Sequence, residues 1–146
     1  MGVGRLPLRA VTAPACGSVV LTCMDFRFVE ILRAFLEREG IAGDADVLSW
    51  PGGAACLALD DEREHALRGL ALARRVHGCD RVVLAVHEDC LRLGGSAAHG
   101  DPAAETAALR DHLWTAAREV RESVPGLEPR LVILRSSGAV DELDAG

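Results

Sequence analysis

Arg81-Val-Val-Leu-Ala-Val86 runs directly into His87-Glu-Asp-Cys90, and this stretch decides how the chain is read. A near-continuous apolar run of this length is a strand buried on both faces. Three more runs have the same character: Ser18-Val-Val-Leu-Thr22, Ala45 to Ser49, and Arg130 to Arg135 (RLVILR). Helical patterns separate them. From Phe28 to Glu39, Val29, Leu32 and Leu36 repeat at i, i+3, i+7 with Phe35 beside them, and Gly40 ends the pattern. Asp60 and Asp61 are capping residues for a helix to about His77, with Leu67, Leu70, Ala71 and Val76 inward and Gly78 after it. Asp101-Pro102 opens a third helix to about Ser123, whose stripe is Leu109, Leu113, Ala116, Ala117 and Val120. Trp50-Pro-Gly-Gly53 and Pro125-Gly126 are turns. The β-α-β-α-β-α-β order predicts an α/β fold, a single-domain parallel sheet of about four strands with helices on both faces. Residues 1–17 are an N-terminal extension to a domain spanning 18–146.

Composition narrows the chemistry. The chain has 146 residues, 49% hydrophobic and 26% charged, with a formal charge of −6. That length supports one core without disulfide staples. The acidic balance argues against a nucleic-acid partner, and no apolar run approaches the roughly 20 residues of a membrane span. All sixteen basic residues are Arg, and Lys, Tyr, Asn and Gln are absent. A Schiff-base lysine, a P-loop lysine and a Cys-His-Asn constellation are thereby excluded. The N-terminal segment carries Arg5 and Arg9 without a sustained apolar stretch, so a cytoplasmic location is expected, with the five Cys as thiols or metal ligands.

In parallel α/β sheets ligands bind beyond the carboxyl ends of the strands. Cys23-Met-Asp25-Phe-Arg27 follows the first strand and His87-Glu-Asp-Cys90 follows the third. Two thiolates and an imidazole are a donor set that suits Zn²⁺ and leaves a fourth position open. The plainer readings are a small buried thiol at Cys23, a loop histidine at His87, and a solvated ion pair between Asp25 and Arg27. Cys16, Cys56 and Cys79 have no partner at ligand spacing and read as ordinary thiols, Cys56 being the one most worth locating. His65, His77 and His112 receive no role, and His99 is either a proton shuttle or an exposed side chain. Glu88 and Asp89 are solvated or support the ligands.

Cys23-x-Asp25-x-Arg27, followed about sixty residues later by His87-x-x-Cys90, resembles the zinc-site signature of the β-class carbonic anhydrases. Gly43-Asp44 before the second strand fits too, and the similarity runs from Ser18 to Arg135. The resemblance implies Zn²⁺ on Cys23, His87 and Cys90, a catalytic dyad of Asp25 and Arg27, strand order 2-1-3-4, and a homodimer or higher homo-oligomer. It implies zinc-dependent hydration of carbon dioxide to bicarbonate by metal-bound hydroxide. It also implies two states, with Asp25 held by Arg27 or swung onto the metal. Ser49-Trp-Pro-Gly-Gly53 replaces the family's Arg-Asn-Ala-Gly, Leu91 replaces a Gly, no Gln exists to orient substrate, and only about seventeen residues stand where the family carries a helical arm. The expected small-molecule pocket is therefore Phe26, Trp50, Gly52, Gly53 and Leu91, with the Gly52 and Gly53 amides as donors. The alternatives are carbonyl sulfide, carbon disulfide or a biosynthetic metabolite as substrate, or a non-catalytic zinc-stabilised binding domain.

Overall fold

The computed structural model describes residues 2, 4, 6, 7, 13–59 and 61–146. In chain order the elements are β1 (Ser18–Thr22), α1 (Val29–Arg38), β2 (Ala45–Ser49), α2 (Arg63–His77), β3 (Arg81–His87), α3 (Pro102–Ser123), β4 (Glu128–Leu134) and β5 (Val140–Leu143). Short 3-10 helices occupy Phe26–Phe28, Gly53–Ala58, Leu91–Leu93 and Ser96–Ala98. The sheet order is β2-β1-β3-β4-β5, so the implied 2-1-3-4 core is present. β1 lies between β2 and β3, and β3 between β1 and β4, all parallel.

Strand side chains alternate between two helix layers. Val19, Leu21, Val82, Leu84, Val86, Leu131 and Ile133 pack with Leu70 of α2 and with Leu109, Leu113 and Val120 of α3. Val20, Val83, Ala85, Val132 and Leu134 face the other way, onto Leu32, Phe35 and Leu36 of α1. Helices thus cover both faces, as the apolar strands require. Asp101 caps α3 by accepting from the Ala104 N–H at 2.8 Å, and the expected stripe of that helix is buried throughout.

Two expectations are corrected. The sheet has five strands and is mixed: β5 pairs antiparallel with β4, Leu134 opposite Val140 and Leu131 opposite Leu143. Val140-Asp-Glu-Leu143 has too few apolar residues to read as a strand. Its pairing is supported by ions across the hairpin, Arg135 to Asp141 at 2.6 Å and Arg130 to Glu142 at 2.5 Å. The inner face of α2 is Ala66, Leu70 and Ala73, with Leu67 half-buried, whereas Ala71 and Val76 are exposed. Small residues line this face because the helix sits close to the sheet: a Cβ on Gly69 would lie 3.0 Å from Leu48 Cδ1. The helix starts after Glu62 without a side-chain cap; Asp61 lies in the preceding turn, and Asp60 lies outside the described residues. Gly78 ends α2 at φ +76°, the left-handed conformation expected of it. Among the described residues no helix is long and apolar enough to cross a membrane.

Candidate metal centre

β1 and β3 are register neighbours, Leu21 beside Leu84, so their carboxyl ends deliver Cys23 and His87 to one place. Cys90 returns three residues later. One donor atom from each of Cys23, His87 and Cys90 lies within 4.8 Å of the others. His87 is 2% exposed and stacks on Phe28 with ring centroids 4.1 Å apart. Its Nδ1 faces the Glu88 carbonyl oxygen at 2.7 Å, which fixes that nitrogen as the N–H donor and leaves Nε2 a lone pair. Nε2 is the one buried side-chain nitrogen or oxygen without a partner among the described residues. A buried imidazole nitrogen left unpaired costs free energy unless something electrophilic meets it.

The electrostatics fit a cation at that point. Cys90 hydrogen-bonds the Cys23 sulfur and holds the Cys23 thiol down at about 4, against burial, with His87 and the Asp25 and Gly52 amides assisting. The same contact, together with burial, pushes Cys90 up. Burial disfavours charge on His87, yet the Cys23 sulfur, the Glu88 carbonyl and the Asp25 charge outweigh it and raise the ring. Negative charge in the set therefore sits on the Cys23 sulfur and on the Asp25 carboxylate.

Asp25 is gripped by Arg27 through a fork: Nη2 to Oδ2 at 2.6 Å, Nε to Oδ1 at 3.0 Å, and the Arg27 backbone N–H to Oδ1 at 3.0 Å. These bonds hold its carboxyl at about 2, ionised at neutral pH. Oδ2 stands 3.9 Å from His87 Nε2, at the edge of the cluster. Of the two arrangements that the resemblance left open, the paired one is present.

Arg27 is itself fixed, by two bonds that the spacing of motifs does not reveal. Its Nη1 donates to Asp89 Oδ2 and its Nη2 to the Asp89 carbonyl, both at 2.9 Å. Asp89 is the only described non-glycine residue at positive φ, +52°. Its strained backbone is held by Glu105 Oε1, which accepts the Asp89 N–H at 2.6 Å, while Ser96 N–H donates to Asp89 Oδ1 at 2.9 Å. Glu105 is buried on α3, and its second oxygen accepts from Ser96 Oγ at 2.8 Å. The signal in the sequence was a carboxylate four residues before Leu109, in phase with the apolar stripe. Glu88 is also held: Oε1 accepts the Ser136 N–H at 2.6 Å, and Oε2 faces Arg135 at 3.5 Å.

A cavity of about 460 Å³ opens over the cluster, lined by Cys23, Met24, Asp25, Phe26, Arg27, Pro51, Cys90, Leu91 and Arg92. Phe26 and Leu91 are where a pocket was expected. Trp50 is not: its indole N–H donates to Glu62 Oε2 at 3.2 Å and its ring packs on His65, so it lines a separate cavity with Leu48 and Gly69. The Gly52 N–H points at Cys23 Sγ, 3.4 Å away, and the Gly53 N–H donates to Trp50 O at 2.9 Å. These two amides are therefore spent inside the protein rather than offered to a substrate. Gly53 serves by close approach: at φ +56°, a Cβ there would lie 2.5 Å from Ala85 O and 2.6 Å from Cys23 N. Cys56 is fully buried in the core with its thiol pushed up to about 12 by burial, and is not part of the cluster.

A family model described as "Putative carbonic anhydrase" matches residues 14–125, and the chain belongs to that family. Among solved structures the fold is similar to that of the β-carbonic anhydrase CafA of Aspergillus fumigatus, at 18% identity over 90% of this chain and 76% of that one, with a TM-score of 0.52. It is similar to one of two tetrameric β-carbonic anhydrases of Sordaria macrospora, at 16% identity over 88% and 81% of the two chains, with a TM-score of 0.53. A variant of CafD, another β-carbonic anhydrase of Aspergillus fumigatus, aligns at 14% identity over 96% and 94%, again with a TM-score of 0.53. No curated protein matches the sequence. At these identities the structural likeness establishes the fold, which is that of the β-class enzymes.

Proposed function

We propose that the chain is a zinc-dependent hydratase that converts carbon dioxide and water to bicarbonate and a proton. The observation that carries this reading is the buried, unpartnered Nε2 of His87 converging with the Cys23 and Cys90 sulfurs. Cys23, His87 and Cys90 would hold the ion, which supplies the Lewis acidity that lets water ionise near neutral pH. The rest of the work belongs to the chain. Asp25, ionised and clamped by Arg27, accepts a hydrogen bond from the reacting water and turns its lone pair toward the carbon. Arg27 keeps that carboxylate off the cluster, and Asp89 with Glu105 keeps Arg27 in place. Met24, Phe26, Pro51 and Leu91 give the substrate an apolar approach suited to a small uncharged molecule.

Stopped-flow hydration of carbon dioxide by the zinc-loaded protein tests the reading. Turnover well above buffer between pH 7 and 9 is expected, and none across that range would contradict it. The apolar walls and the spent glycine amides favour carbonyl sulfide as the second substrate to try. Release of sulfide without carbon dioxide hydration would reassign the same centre to that reaction.

Met24, Phe26 and Leu91 are 62%, 84% and 74% exposed around the cavity mouth. A rim of this kind is too apolar for open water, and a second copy of the chain is the proposed cover, giving a homo-oligomer.

A further inference from the structure

The amino end of the sheet, opposite the centre just described, holds a second group of metal-binding side chains. Cys16 lies two residues before β1, Cys79 two residues before β3, Asp46 is the second residue of β2, and His77 is the last of α2. The parallel register, Ser18 beside both Ala45 and Arg81, brings these four segments together. One donor atom each from Cys16, Asp46 and His77 lies within 4.8 Å of the others. Cys79 Sγ stands 3.5 Å from Cys16 Sγ. The backbone is tied at the same place: Cys16 N–H donates to His77 O at 3.1 Å, and Gly17 N–H to Asp44 Oδ1 at 3.1 Å.

We propose that Cys16, Asp46 and His77, with Cys79 beside them, form a second site for a thiophilic divalent cation such as Zn²⁺. The three mutually close donors are types this ion accepts, a sulfur, an imidazole and a carboxylate, and the Cys79 sulfur adjoins the first of them. Two sulfurs on one tetrahedral zinc, each at about 2.3 Å, stand roughly 3.8 Å apart. The 3.5 Å observed is close to that spacing, so little rearrangement is required of the sulfurs. His77 Nδ1 and Asp46 Oδ2 are 2.7 Å apart, which orients the ring whether or not the carboxylate itself ligates. Binding replaces the two thiol protons, released to solvent, with one cation. Both thiols lie against the carbonyl oxygen of Ser18, at 3.5 and 3.2 Å. A cation there braces the segment before β1 against β2, α2 and the start of β3. It lies at the end of the sheet opposite Cys23, so its role is structural rather than catalytic.

The test strips the full-length reduced protein with a chelator, reloads it with zinc chloride alone, removes excess by gel filtration and counts zinc by mass spectrometry. Alkylation mapping before and after chelation then reads which thiols the metal protects, Cys16 being the decisive one because Cys79 is buried in either case. The proposal expects two zinc ions per chain, with Cys16 and Cys79 shielded. Cys16→Ser and His77→Ala each lower the count by one, while the Cys23→Ser/Cys90→Ser pair retains one ion with Cys16 and Cys79 still shielded. Should a Cys variant fail to fold, His77→Ala and the mapping of the native chain carry the same reading. One ion per chain with Cys16 and Cys79 freely alkylated, or joined to each other as a disulfide, overturns the second site and leaves the first intact. One ion with only Cys16 and Cys79 shielded upholds the second site and removes the first.

Discussion

Asp25 carries a role that its neighbours define. An aspartate two residues after a cysteine is unremarkable, and only the fork from Arg27 makes it a fixed, ionised acceptor beside the cluster. Asp25→Ala is expected to lower the rate of carbon dioxide hydration by about 10²- to 10⁴-fold, the usual worth of a positioned acid–base group. Zinc content and the thermal midpoint should stay near those of the native chain, since Asp25 is not among the three donors. Undiminished hydration would remove Asp25 from the mechanism. That Cys23, His87 and Cys90 meet, and that Asp25 pairs with Arg27, was legible from their places after two neighbouring strands. The anchors of Arg27 were not, because Asp89 and Glu105 act through a left-handed backbone and a buried carboxylate that only the folded chain brings together. Cys16, Asp46, His77 and Cys79 were hidden for a related reason: their ligand spacing is set by sheet register, not by a local motif.

At the scale of elements, the strands that lead to Cys23 and His87 could be read because burial on both faces leaves them nearly unbroken in apolar residues. β5 could not, since an edge strand held by Arg130 and Arg135 ion pairs shows charge where a reader looks for hydrophobicity. The turn after β2 was legible as a turn but not in its purpose. Gly53 there packs its bare Cα against Ala85 O and Cys23 N, so the turn sets the position of Cys23 rather than offering amides to a substrate. Gly53→Ala is expected to cost about 1–3 kcal/mol from backbone strain alone, measured by urea denaturation, and to weaken zinc retention by displacing Cys23. Native stability and native zinc content in that variant would contradict the close-approach role.

For the whole molecule, two predictions concern assembly and acid. Sedimentation velocity should show a dimer or larger species, and Phe26→Asp with Leu91→Asp should shift it to the monomer with zinc retained. A native chain that sediments as a monomer would contradict the covered rim. In acid, Arg130 lowers the Glu142 and Glu39 carboxyls through hydrogen bonds, and Arg27 does the same for Asp25. The unfolded chain takes up these protons first, so the stabilisation is complete above the ordinary glutamate value of 4.5 and is lost as the pH falls toward the folded values, about 2 for Asp25. Arg130→Met should reduce stability at neutral pH and flatten this acid limb; a limb of unchanged steepness would count against the network. The central claim is that Cys23, His87 and Cys90 hold zinc, and the most direct test is the difference in zinc content between the native chain and Cys90→Ser, with folding checked by circular dichroism. A fall of one zinc per chain, together with loss of carbon dioxide hydration, is the predicted result. Equal zinc content in the two folded proteins would contradict it.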